Sequence, residues 1–204
     1  LDLPYAMSHG LKNEGAKITA QLLETTDAME VVNEILIPAL DSAGKLFEQG
    51  KIFLPQLIQT ASVAQAAFEV IKTTLIERNA APVSRGEIVL ATVKGDIHDI
   101  GKNIVRVLLE NYGYTVLDLG RDVPCQLVAD TAKEHGVKLV GLSALMTTTL
   151  GAMEETIQLV KQSCPDCKIV VGGAVLTADY AEKIGADFYA KDAMETVAVA
   201  KEVV

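Results

Sequence analysis

Lys94-Gly95-Asp96-Ile97-His98-Asp99-Ile100-Gly101-Lys102-Asn103 places an imidazole between two carboxylates and two glycines, directly after the apolar run Ile88-Val89-Leu90-Ala91-Thr92-Val93. An imidazole at a turn from strand to helix can ligate a metal through one ring nitrogen. The other nitrogen then needs a partner that fixes tautomer and basicity, commonly a carboxylate. Asp96, two residues before His98, is of the right type for that part, while Asp99 is placed as the N-cap of the helix that follows. A lone histidine is more often structural than ligating, so His98 gains weight from its position rather than its type. It also cannot hold a bare ion: a structural zinc site takes four ligands and a catalytic one three, and no second His or Cys lies nearby in the sequence. A metal here must arrive inside a group that brings most of its own coordination, as a macrocycle does, leaving one axial position to the protein.

Glycines fit such a group. Gly101 opens the helix after His98, and Gly172-Gly173 end a later apolar run, where a missing side chain lets a ligand approach the backbone or lets the chain turn. The segment lacks the GK[ST] ending of a phosphate loop and does not match GxGxxG, so phosphate cradling is a weak reading. Cys164-Pro165-Asp166-Cys167 stands between a helix and the next strand, the reverse of the thioredoxin order, and has no second CxxC to complete a zinc site. His135 precedes Gly136 at a helix end, where a basic side chain suits exposed carbonyls; His9 has no evident partner.

The elements that position these residues fall into two halves. From residue 1 to 79 apolar residues recur every three or four positions, as in Leu57, Ala61, Ala64, Phe68, Ile71 and Leu75, or Ala28, Val32, Ile35, Ala39, Ala43 and Leu46, the pattern of helices with one buried face. Asp27 with Glu30 reads as a capping box and Pro55 as a first-turn proline. Residues 80–87, AAPVSRGE, break both periods and read as a linker. From residue 88 to 204, short β-branched runs at 88–93, 115–120, 138–144, 168–174 and 187–191 alternate with helical stretches. Runs that are continuously apolar point to a sheet covered on both faces. The fold class is α/β: an N-terminal helical bundle (1–79), then a flavodoxin-like, doubly wound, five-stranded parallel sheet (88–204). In order 2-1-3-4-5 the first, third and fourth strands are neighbours, and ligands bind beyond their carboxyl ends. The segments after them, GDIHDIG, SALMTTT and GGA, would converge, with the second strand off to one side.

A net charge of −9, no dense Lys/Arg cluster and no Trp argue against a nucleic-acid surface. The apolar stretches fall short of the roughly 20 residues that span a bilayer, and the N-terminus lacks a basic-then-apolar pattern. Three cysteines give no disulfide framework. A cytoplasmic protein without membrane or nucleic-acid partners is expected.

Three motifs together resemble the cobalamin-binding domains: Asp96-Ile97-His98-Asp99-Ile100-Gly101 matches DxHxxG, Ser143-Ala144-Leu145 matches SxL, and Gly172-Gly173 matches GG. The helical half resembles the bundle that precedes the corrinoid domain in methionine synthase and in the corrinoid proteins of methanol, methylamine and betaine-type methyltransferases. Leu36-Ile37-Pro38-Ala39-Leu40 and the segment Phe47 to Gln56 look most like methionine synthase modules.

The resemblance implies a cofactor, cobalamin, passing between methylcobalamin and cob(I)alamin, bound with its own base displaced. His98 would be the lower axial ligand to cobalt, Asp96 its hydrogen-bond partner, and Thr149 a hydroxyl continuing the relay where methionine synthase has a serine. Gly95, Ile97, Asp99, Ile100 and Gly101 would lie along the cofactor; Ser143, Leu145, Thr147, Gly172 and Gly173 would line the pocket for its nucleotide tail. Phe47, Leu54 and Leu57 match the cap positions, an apolar lid over the reactive face, with AAPVSRGE as the hinge that opens it. The function implied is a methyl carrier, the cobalamin module of a methionine synthase working between methyltetrahydrofolate and homocysteine domains, inactive without them and served by a reductive reactivation partner. The alternative is a free-standing corrinoid protein of a methanol, methylamine or betaine system. A mutase module would sit beneath a barrel rather than a helical lid, and a cobalamin-based sensor would carry a DNA-binding region and a Trp in the bundle. A response-regulator-like domain would place acidic residues after the third strand, where MTTT stands.

Overall fold

The computed structural model describes residues 2–78 and 84–204. The chain divides into a helical unit and an α/β unit that meet in sequence at Ser84 and Arg85. Of the linker expected at 80–87, residues 80–83 lie outside the described residues, and Glu87 already belongs to the first strand.

The helical unit contains α1 (Leu3–Ser8), α2 (Lys12–Leu22), the short α3 (Ala28–Glu30), α4 (Ile37–Glu48) and α5 (Leu54–Glu77). Asp27 caps α3 by accepting the Met29 N–H at 2.8 Å. Pro55 stands in the first turn of α5, where a missing N–H leaves no bond unmade. Between α3 and α4 the chain makes a π-helical turn, Val31–Leu36. A π turn holds more residues per hydrogen-bonded ring and so advances the buried face. The stripe expected through Ile35, Ala39 and Leu46 is displaced for that reason: Leu36 and Leu40 are buried, while Leu46 is exposed.

In the α/β unit the strands are β1 (Glu87–Thr92), β2 (Thr115–Asp118), β3 (Leu139–Ser143), β4 (Lys168–Gly172) and β5 (Phe188–Tyr189), all parallel, in order β2-β1-β3-β4-β5. Joining and flanking them are α6 (Ile100–Asn111), α7 (Cys125–His135), α8 (Leu150–Ser163), α9 (Ala178–Lys183) and α10 (Ala193–Val203). This is the doubly wound order the apolar runs predict. On one face Val89, Ala91, Val140, Leu142, Ile169 and Val171 pack with Val128, Ala132, Met153, Ile157 and Ala181. The other face presents Leu90, Gly141, Ser143, Val170 and Gly172 towards residues of α6 and α10. Because side chains alternate, a one-residue slip would exchange these faces and bring a side chain to the place of Gly141, where a Cβ would fall 2.5 Å from Leu90 Cδ2. The register, and with it the level of the strand ends, is therefore fixed.

Among the described residues no helix is long and apolar enough to cross a membrane.

Candidate functional site

The β1 run ends at Thr92, and the chain turns through Gly95, which takes a φ of +84°, before α6 begins at Ile100. Asp99 stands at the N-cap, its carbonyl accepting the Asn103 N–H at 2.8 Å. Within this turn Asp96 is fully buried and His98 is not, its side chain 45% exposed. Asp96 Oδ1 accepts the His98 backbone N–H at 3.0 Å and meets His98 Nδ1 at 2.8 Å. Its Oδ2 accepts the Leu145 N–H at 2.7 Å, the Met146 N–H at 3.2 Å and the Thr149 hydroxyl at 3.1 Å.

Burial alone would push the Asp96 carboxyl up, but the hydrogen bonds from His98, Leu145 and Met146 outweigh it and hold the group well below the usual carboxylate range. An ionised carboxylate only accepts, so the proton in the Asp96–His98 bond sits on Nδ1. In the neutral ring the lone pair then belongs to Nε2, which has no hydrogen bond to the described residues. Exposed Ile97, Ile100 and Leu145 complete an apolar rim at this edge, at 60%, 78% and 42% exposure.

Thr149 closes the 3₁₀ turn Thr147–Thr149 ahead of α8 and is buried. Its hydroxyl lies 2.8 Å from the Met146 carbonyl as well as near Asp96; one proton serves one acceptor at a time. The threonine methyl lies towards Gly95, where a Cβ would lie 3.4 Å from Thr149 Cγ2.

The second strand lies at the edge of the sheet, as the strand order predicts, but the loop after it reaches the site. Beyond β2 the chain runs on beside the His98 loop: Thr92 N–H donates to the Gly120 carbonyl (2.9 Å), Val123 N–H to Thr92 (3.1 Å), and Val93 bridges Val123 in parallel. Asp122 accepts the Gly95 N–H at 2.7 Å and donates its own N–H to the Asp96 carbonyl at 2.9 Å. Nothing in residue type marked this segment; adjacency of β2 to β1 was the available signal.

Behind the site, on the α6 and α10 face of the sheet, lies a mainly apolar cavity of about 330 Å³. Leu90, Val105, Ser143, Gly172, Gly173 and Thr196 are among its walls. Leu145 and Thr147, expected there, lie outside it and are exposed, because β3 ends at Ser143 and the chain beyond turns its amides to Asp96. Gly173 is required by space: a Cβ there, at φ +135°, would fall 1.8 Å from the Ala144 carbonyl oxygen, whereas one on Gly172 would make a tight contact of 3.1 Å with that of Ala190. Gly101, by contrast, borders open space and lines the cavity. Lys102, nearly buried at the wall, pairs with Asp118 at 2.5 Å and with Asn103 at 3.0 Å.

These features fit a bulky group that carries its own metal ligands. No cluster of three or more His, Cys, Asp or Glu side chains able to hold a bare ion occurs among the described residues. Thr92, on the cavity face of β1 and in register with Ser143 and Gly172, has a buried hydroxyl with no partner among the described residues.

In the helical unit Phe47 and Leu54 are half-buried and Leu57 is buried. The large exposed side chain of this stretch is Phe53, at 72%, which the sequence reading passed over. His9 does have partners, Tyr5 O and Ser8 Oγ at 3.0 Å. His135 pairs with Glu87 at 3.2 Å. Cys167 is buried and its thiol pushed up to about 12, chiefly by that burial, so it offers no reactive thiolate.

Residues 86–198 match the family described as a B12 binding domain, and residues 2–72 match a second family of the same description. Dimethylamine corrinoid protein 1 of Methanosarcina acetivorans is 43% identical over 178 residues, covering 86% of this chain and 83% of that protein. A cobalamin-binding protein from Desulfitobacterium hafniense superposes with a TM-score of 0.81 at 31% identity, over 99% of this chain and 97% of that one. The methanol:cobalamin methyltransferase complex MtaBC from Methanosarcina barkeri gives 0.85 at 27% identity, over 98% and 77%.

Proposed function

Because the chain belongs to the B12-binding corrinoid proteins and binds cobalamin, we propose that it carries a methyl group between subunits of a methylamine or methanol methyltransferase system. The methionine synthase reading gives way to its alternative. Relatives that match over most of the chain are corrinoid proteins of amine and methanol systems, whereas the methionine synthase likeness lay in two short helical segments. Its partners would be a donor-specific methyltransferase, an acceptor methyltransferase and a reductive reactivation protein.

Bound cobalamin supplies a cobalt centre able to take up and release a methyl group; the chain's own residues orient and tune it. Nε2 of His98 would be the atom that holds the cobalt. Asp96 fixes the tautomer that makes this possible. Thr149 completes the donor set around Asp96. Ile97, Ile100 and Leu145 give the macrocycle an apolar rim to cover, and the cavity behind Ser143, Gly172 and Gly173 takes the nucleotide tail. For the cap, Phe47 and Leu54 keep surface to offer and Leu57 does not; the hinge assigned to AAPVSRGE falls in part outside the described residues.

The observation that carries this reading is the half-exposed imidazole whose Nδ1 is held by a buried, ionised carboxylate while Nε2 stays open. Apoprotein mixed with hydroxocobalamin should retain corrinoid through gel filtration with a base-off spectrum, and the cobalt(II) form should show nitrogen hyperfine structure that His98→Ala alters. A colourless protein fraction, or a spectrum indifferent to His98→Ala, overturns it. Paired with amine-specific and methanol-specific methyltransferases in turn, the loaded protein should be methylated with one and not the other.

A further inference from the structure

We propose that Asp122 is a positioning residue for His98, gripping the chain at Gly95 and Asp96 from the neighbouring loop; the inference rests on His98 being the cobalt ligand. The carboxylate of Asp122 accepts the Gly95 N–H at 2.7 Å, and its backbone N–H donates to the Asp96 carbonyl at 2.9 Å. The two bonds hold both ends of the Gly95-Asp96 pair. Asp96 in turn holds His98 at two points, the backbone N–H and Nδ1. Any slackness at Gly95-Asp96 therefore reaches the ring that must face cobalt.

The conformation of Asp122 argues that its side chain was selected. Its φ is +51°, and among the described residues no other non-glycine has a positive φ. Residues with a Cβ adopt this region at a cost, least for Asn and Asp. Gly120, two residues earlier, meets the same demand with a glycine at φ +91°. Had the turn alone mattered at 122, glycine would serve there too. A glycine at 122 would leave the Gly95 N–H without the carboxylate that now accepts it. Asp122 is exposed, so water competes for that bond and the effect of removing it is graded.

The test uses Asp122→Gly, which keeps the turn and the backbone donor but removes the acceptor, and Asp122→Asn, which keeps an acceptor and tolerates the turn. In the apoprotein, amide exchange at Gly95 should be about threefold to tenfold faster in Asp122→Gly, and the nitrogen-15 shifts of the His98 ring should move from a single Nδ1–H tautomer towards a mixture. In the loaded protein at pH 7 the fraction of cobalt(II) with imidazole hyperfine should fall. Asp122→Asn should restore all three, and unchanged thermal midpoints would separate the effect from unfolding. Asp122→Gly matching the parent in Gly95 exchange, or in His98 tautomer and hyperfine, overturns the proposal. A parent that took up no corrinoid would sink the cobalt reading instead, and the apoprotein measurements would still decide the grip.

Discussion

Replacing Asp96 by Asn changes no volume yet should largely disable His98 as a ligand. Five donors converge on the Asp96 carboxylate: the His98 N–H and ring Nδ1 on Oδ1, and the Leu145 and Met146 N–H groups with the Thr149 hydroxyl on Oδ2. An amide must turn its NH₂ towards one of these sets. On the Oδ2 side it would face two backbone donors that cannot rotate away. Facing Oδ1's partners, it opposes one backbone donor, and the imidazole can adapt by moving its proton from Nδ1 to Nε2 and accepting instead. One fewer stranded donor favours that orientation by about 1–3 kcal/mol. An Nε2–H nitrogen cannot ligate cobalt, so ligation must first reverse the tautomer against this bias. The ratio of His-on to His-off forms should therefore fall by about fivefold to 150-fold. Nitrogen-15 shifts of the Asp96→Asn apoprotein should show His98 protonated at Nε2, and the cobalt(II) spectrum of the loaded protein should lose most of its imidazole hyperfine. If the variant keeps the Nδ1–H tautomer and the parent's hyperfine, the reasoning from donor count is wrong.

The remaining perturbations act on the support. Asp96 is depressed in the folded state, so its stabilising contribution is complete above the ordinary carboxylate value of about 4 and is lost as pH falls through the depressed value; urea midpoints of the apoprotein at pH 7, 5 and 3 should fall less steeply in Asp96→Asn, and equal slopes would refute this. Gly173→Ala forces a Cβ into the Ala144 carbonyl and should cost about 2–4 kcal/mol in chemical denaturation, whereas Gly101→Ala, with open space beside it, should leave apoprotein stability equal or up to about 1 kcal/mol higher while weakening corrinoid retention. Lys102→Met removes the buried partner of Asp118 but leaves it Arg106 at 3.3 Å and the Gly120 N–H, and should cost about 1–3 kcal/mol, most of it regained in the double variant with Asp118→Asn; a single variant as stable as the parent would show the pair to be neutral.

Which of these effects could be read from sequence depends on whether residue type carried them. The strand ends were legible because a parallel sheet buried on both faces leaves continuous apolar runs, and the strand order then brought His98, Ser143 and Gly172-Gly173 to one edge. Asp96 as the partner of His98 followed from type and spacing. The Leu145 and Met146 amides were illegible because every residue but proline carries one; only the coordinates show two of them aimed at Asp96. The π turn at Val31–Leu36 defeated a fixed 3.6-residue period by shifting phase inside an unbroken helical pattern. Asp122 was set aside by treating β2 as peripheral, although an edge strand beside β1 still delivers its following loop to the β1 turn. The same physical point joins these cases: an axial ligand needs one side chain of the right type but many groups of no particular type to aim it. His98 was visible in ten residues of sequence, and the backbone donors that set which of its nitrogens is held and which stays open come from the β1, β2 and β3 loops together.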